Sequence, residues 1–284
     1  MDIVDAQIHL FLTMDTAAGL AAMDALGIQA ALIDEFWGYV GDEHTPPPGY
    51  TPAGAPFRPV APGAEMASMR HPERFSYLLR IDRADPELDS LMRLLKAAPH
   101  GRALRLEVRT EEEVRAFKAG ECNTFFAAAQ RHGLPVFILS LPGNVSLLTP
   151  YVEAFPDLLF IIDHCGMPKD LANFDEVLRL GSYANTALKW CHAPRFFNIT
   201  EYPFNALSPH LGRARDAFGR ERIMWASDFT AIRSGHSWAE SLFYLRHNPS
   251  LSESDKAWIL GGTVRKLLAW PAPEAPSKPA LHRH

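Results

Sequence analysis

The sequence predicts an α/β protein folded as one (β/α)8, TIM-type barrel with additional helices at its C-terminal end. Three observations carry that prediction. The chain has 284 residues, above the usual single-domain size but within the range of one large barrel. Short apolar runs rich in branched residues alternate with amphipathic stretches along its length, the pattern of successive βαβ units. No GxGxxG follows the first run and no GxxxxGK[ST] occurs anywhere, so a doubly wound nucleotide-binding sheet has no support.

Taken in order, the candidate strands are 3–9, 28–34, 75–82, 103–108, 135–139, 158–163, 196–200 and 223–226. Each is apolar on both faces, which suits parallel strands covered by helices. Helical patterns fall at 15–26, 87–97, 123–132, 145–155, 174–183 and 207–218. Gly27 and Gly133 stand where two of them must stop. Further helices at 238–247 and 254–270 would close the outer ring, so the barrel is expected over 1–270 and a disordered tail over 271–284.

Composition narrows the function classes. Hydrophobic residues make up 47% and charged residues 21%, as in ordinary globular proteins. With 28 Lys+Arg against 33 Asp+Glu the net charge is -5, which leaves no basic footprint for nucleic acid. The absence of a long uninterrupted apolar run argues against a membrane span. An acidic start (Asp2, Asp5) and only three cysteines fit a reduced, cytoplasmic protein. The partner expected is therefore a small-molecule substrate, with neither nucleic acid nor membrane involved.

Proline is in excess, 23 against 18 glycines. Seven lie between Asp42 and Ala64 and four in the last 14 residues. Lacking an N–H, proline keeps both stretches out of helices and central strands. The internal stretch follows the second strand, on the face where a barrel keeps its chemistry. It reads either as an active-site cover, with Trp37 and Tyr50 as substrate-facing walls, or as a simple surface insertion.

Chemistry in such a barrel belongs at the C-terminal ends of the strands. Strand one ends Asp5-Ala6-Gln7-Ile8-His9, and strict alternation would put Asp5, Gln7 and His9 on one face. Strand four offers Arg105 and Glu107, a pair within the barrel or, for Arg105, a fork for a substrate carboxylate. Strand five ends at Ser140. Strand six runs into Asp163-His164-Cys165-Gly166, where an imidazole at the mouth suits catalysis or ligation and Cys165 reads as a small buried hydrophobe. A strand seven at 196–200 would add Asn198, Thr200, Glu201 and Tyr202 to the rim. Strand eight ends Ala226-Ser227-Asp228, and a carboxylate there has few reasons to be buried except pairing or catalysis.

DAQIHLF, IIDHCGMP, and RIMWASDF followed by LGGTVRKLLAW resemble the amidohydrolase-related family that includes 2-pyrone-4,6-dicarboxylate lactonase and L-fuconolactonase-like proteins. The resemblance spans residues 2–270 in order. It implies a distorted barrel and water attack on a lactone or carboxylic ester, with Asp228 as general base. It also implies that His9 and His164 polarise the carbonyl or bind a metal. Gln7 stands where the family's Asp-x-His-x-His motif has its first histidine, Ser140 where metal-using relatives place a ligand, and strand four lacks a metal-bridging lysine. These departures favour hydrolysis without a cofactor, with Gln7, Arg105, Ser140, Trp37 and Tyr50 as substrate contacts. Two alternatives stay open: a hydrolase or decarboxylase holding zinc or manganese on His9, His164 and Asp228, and a non-catalytic barrel that binds a small molecule.

Overall fold

The structure is a computed structural model, described here for residues 1–10, 14–35, 49–108, 110–140, 143–228 and 236–272. Eight parallel strands follow one another around a nearly closed barrel: β1 (Val4–Ile8), β2 (Ala30–Asp34), β3 (Phe75–Arg80), β4 (Gly101–Val108), β5 (Val136–Ser140), β6 (Phe160–Ile162), β7 (Thr186–Trp190) and β8 (Ile223–Trp225). Every neighbouring pair in this order is parallel, and the connecting helices cover the outside, as in a (β/α)8 barrel.

The parity of each strand explains why both faces are apolar. Val4, Ala6, Leu32, Phe137, Ile161 and Met224 fill the lumen together with Val264, Leu268 and Trp270 from the C-terminal segment. Their neighbours in sequence, such as Ile33, Leu104, Ile138 and Trp225, pack outward in a larger cluster with the helices. Local signals set the helices between. Asp15 caps Thr16–Leu26 by accepting from the Ala18 N–H at 2.8 Å, and Gly27, with φ 73°, ends it in the left-handed conformation that glycine adopts without strain. The LGGTVRKLLAW segment returns to the start of the chain. Arg265 pairs with Asp2 at 2.8 Å, and Gly261 lies so close to Asp2 that a Cβ there would meet its carbonyl oxygen at 2.1 Å.

Two expectations are corrected. Residues 196–200 are not a strand: they follow and overlap the short helix Ala193–Phe196, and the seventh strand is Thr186–Trp190. The aromatic and β-branched run FFNIT imitates a strand, whereas the true strand hides its identity by carrying a buried lysine, Lys189. Asn198, Thr200, Glu201 and Tyr202 therefore do not line a strand end, and Tyr202 is exposed. In β1, the register with β2 advances three residues (Asp5 to Ile8) against two (Ala31 to Ile33), which marks a bulge. The bulge breaks the alternation. Asp5 accepts from the Trp238 indole N–H at 2.7 Å in the helix layer, while Gln7 and His9 reach the mouth.

The proline-rich stretch is not wholly irregular. Gly49–Tyr50 pairs antiparallel with Arg58–Pro59, and Pro62 opens the helix Pro62–Arg70, a position where its missing N–H costs nothing. Glu35, just after β2, accepts from the Ala64 N–H at 2.7 Å, so the far end of the excursion is pinned back to its origin. Trp37, residues 42–48 of the expected cover and residues 273–284 of the expected tail lie outside the described residues. Among the described residues no helix is long and apolar enough to cross a membrane.

Candidate active site at the barrel mouth

Asp228 is the centre of the mouth. It follows β8 by three residues, has φ 48°, and is 4% exposed. Its N–H donates to the Gln7 carbonyl at 3.0 Å, which brings the end of β8 against β1. Asp5 reinforces that seam by accepting from the Ser227 N–H at 2.9 Å and hydroxyl at 2.5 Å. Burial outweighs those donors and pushes the Asp5 carboxyl up to about 6.

Both carboxylate oxygens of Asp228 are engaged. Oδ1 lies 2.8 Å from His9 Nε2 and accepts from Gln7 Nε2 at 3.1 Å. Oδ2 lies 2.8 Å from His192 Nε2 and 3.8 Å from His164 Nε2. Burial opposes the charge on Asp228, but His9 and His192 overcome it and hold the carboxyl well below its ordinary range. His9 responds in kind. Burial disfavours its cation, yet Asp228 and then Asp34 raise its pKa above the ordinary value. Its Nδ1 faces the Asp34 carbonyl at 2.7 Å; since this oxygen only accepts, Nδ1 carries a proton. His164 goes the other way: burial and the nearby Lys189 ammonium push it well below its ordinary value, so it is neutral.

Beneath this layer lies a charged network. Arg105 donates to Asp163 through Nε at 2.9 Å and to Asp34 through Nη1, with Nη2 3.3 Å from His164 Nε2. Arg80 holds the same Asp34 at 2.5 Å and also pairs with Glu107, so Glu107 answers Arg80 rather than Arg105. Burial would raise both Asp34 and Asp163, but the arginines, joined for Asp163 by Lys189, lower them. Lys189 Nζ lies 2.5 Å from Asp163 Oδ1 and donates to Gln7 Oε1. An ammonium cannot accept, so it fixes which end of the Gln7 amide is oxygen and leaves Nε2 to face Asp228.

The mouth thus brings together Gln7, His9, His164 and Asp228, with Arg105 beneath them. The guanidinium of Arg105 is 2% exposed and already held by two protein carboxylates. Ser140 ends β5. Tyr50 sits apart on the hairpin, 53% exposed, in a cleft of about 380 Å³ that it shares with Arg58, Arg80 and Asp85. Cys165 is fully buried and its thiol is pushed up to about 12, which fits a packing role. Sequence reasoning missed Lys189 and His192. The signal lay in ALKWCH: had 186–190 been read as the strand, His192 would have stood at its mouth, as His164 does after β6.

His164, Cys191, His192 and Asp228 can hold a metal ion, each offering one donor atom within 4.8 Å of the others. Nδ1 of both imidazoles is buried without a protein partner, so two nitrogen atoms of the group are not committed to the fold. The donor types (two imidazoles, a carboxylate and a thiol) suit a divalent metal. This set is not the one expected from strand one, because His9 is engaged at both ring nitrogens by Asp34 and Asp228.

Comparison with known proteins agrees with this architecture. A zinc-bound amidohydrolase from Burkholderia multivorans has TM-score 0.76 and 16% identity, covering 95% of this chain and 100% of its own. A Pseudomonas putida protein assigned as a 2-pyrone-4,6-dicarboxylic acid hydrolase has TM-score 0.68 and 17% identity, covering 94% and 97%. 5-Carboxyvanillate decarboxylase from Sphingomonas paucimobilis has TM-score 0.60 and 16% identity, covering 91% and 84%. No functionally curated protein matches the sequence. At these identities the structures speak for the fold alone. The family model described as Amidohydrolase matches residues 64–270, most of the chain and two of the three strand-end motifs. The chain belongs to the amidohydrolase family.

Proposed function

We propose that the protein hydrolyses a lactone or related carboxylic ester, of the sugar-acid or dicarboxylate type, by water attack at the barrel mouth. The observation that carries this reading is the buried Asp228 carboxylate, kept ionised between His9 on one side and His192 on the other. A water oxygen forms a bond to the carbonyl carbon, and Asp228 receives the proton it sheds. The ester C–O bond then breaks, and that proton passes to the departing alkoxide. His9, whose Nε2 lies 2.8 Å from Oδ1, and Gln7, which donates to the same oxygen, hold the Asp228 carboxylate in place from the strand-one side. His164, neutral and with Nε2 3.8 Å from Oδ2 of Asp228, borders the same position. Arg105, locked beneath the mouth by Asp34 and Asp163, fixes the floor of the site. A metal held by His164, Cys191, His192 and Asp228 would add Lewis acidity at the same place.

The test is turnover of a panel of sugar lactones and dicarboxylate lactones by wild-type protein and Asp228→Asn. The variant should lose about 10²–10⁴-fold in kcat while keeping its circular dichroism spectrum. Near wild-type turnover by Asp228→Asn overturns the assignment. The metal-capable donor group favours a second reading, decarboxylation of an aromatic or related carboxylic acid, which release of CO2 in place of ring opening would establish.

A further inference from the structure

We propose that the metal site of this chain is a zinc site carried by the ends of β6, β7 and β8, with His192 and the Cys191 thiolate taking the place of strand-one ligands. The backbone makes the first argument. His164, His192 and Asp228, the residues that leave these three neighbouring strands, all have left-handed backbones, with φ 50°, 52° and 48°. That conformation costs a non-glycine residue about 1 kcal/mol or more and persists where the surroundings enforce it, most often at a functional site. Repeated at three adjacent strand ends, it aims three ligand-bearing side chains at one place. Their donor atoms and that of Cys191 lie within 4.8 Å of one another, and all four residues are buried.

Hydrogen bonding makes the second argument. One nitrogen of His164 and one of His192 have no protein partner although both are buried. A fold that meant to use these rings only for packing would leave two buried polar atoms unsatisfied, at about 1–3 kcal/mol each. Strand one offers no such freedom. Gln7 spends its oxygen on Lys189 and its amide nitrogen on Asp228, and His9 is engaged at both nitrogens.

The donor set names the ion. A thiolate with two imidazoles and one carboxylate is a tetrahedral zinc set, whereas manganese prefers oxygen ligands. On binding, the Cys191 thiol gives its proton to solvent and the sulfur becomes a ligand.

The experiment uses the full-length protein, stripped with chelator and titrated with cobalt(II) as a spectroscopic stand-in, followed by zinc and manganese competition. Wild type should bind one cobalt per chain with tetrahedral d–d bands and a thiolate-to-metal charge-transfer band in the near ultraviolet. Cys191→Ser should lose that band and keep the d–d bands. His192→Gln should weaken zinc at least tenfold, His9→Gln should change it less than threefold, and manganese should fail to displace zinc. Circular dichroism of each variant confirms that it is folded. Failure of the wild type to bind cobalt, no charge-transfer band, or greater loss of zinc in His9→Gln than in His192→Gln overturns the proposal.

Discussion

His192 Nε2 lies 2.8 Å from Oδ2 of Asp228, on the opposite side of the carboxylate from His9, whose Nε2 is 2.8 Å from Oδ1. The carboxylate is therefore clamped by imidazoles from the first and seventh strands rather than by a pair on strand one. That clamp replaces the two-histidine pattern that Gln7 interrupts.

His192→Asn should lower kcat about 10–100-fold, the effect of one hydrogen bond to a charged group, about 1.5–3 kcal/mol. Steady-state kinetics on the substrate found in the lactone panel check this. A variant as fast as wild type removes His192 from the site.

Lys189 is fully buried, and its partner Asp163 is also held by Arg105. Removing one member of a buried pair leaves an uncompensated charge, so Lys189→Met should destabilise by about 3–5 kcal/mol. Asp163→Asn in the same chain should restore part of the loss. Urea unfolding of the two single variants and the double variant measures the coupling, and strict additivity would show that the pair does not act as a unit.

Asp34 sets an acid limit. Burial raises its carboxyl, but Arg80 and Arg105 dominate and hold it below the unfolded value of about 3.9. Below that value the unfolded chain binds more protons, so the stability Asp34 contributes is complete above about pH 4–5 and is lost as pH falls further. The gap in Tm between wild type and Asp34→Asn should shrink from pH 7 to pH 3. A gap that stays constant with pH would contradict the pairing.

Two glycines should answer in opposite directions. Gly261→Ala would drive a Cβ to 2.1 Å from the Asp2 carbonyl oxygen and should cost about 1–3 kcal/mol. Gly212 lies within the helix Ser208–Phe218 with nothing within 4 Å of an added Cβ, so Gly212→Ala should stabilise by up to about 1 kcal/mol. Equilibrium denaturation of both variants gives the signs directly.

The sequence by itself determined the barrel, seven of its eight strands, and the nearness of Gln7, His9, His164 and Asp228 at the strand ends; Arg105, expected to face a substrate carboxylate, is held by Asp34 and Asp163 beneath them. It could do so because helix and strand periodicities are local, and a parallel barrel places every strand end on one face. Three things only the tertiary structure decided. Lys189 interrupts the apolar run of β7, yet it is tolerated in the interior because Asp163 and Gln7, far away in sequence, compensate it. Asp5 leaves the face of Gln7 and His9 because a bulge, invisible in alternation, turns it toward Ser227 and Trp238. The identity of the histidine opposite His9 followed from these, since a strand misplaced by ten residues moves every side chain at its mouth. Burial and charge compensation are set by neighbours brought together through folding, and no local pattern records which neighbours those are.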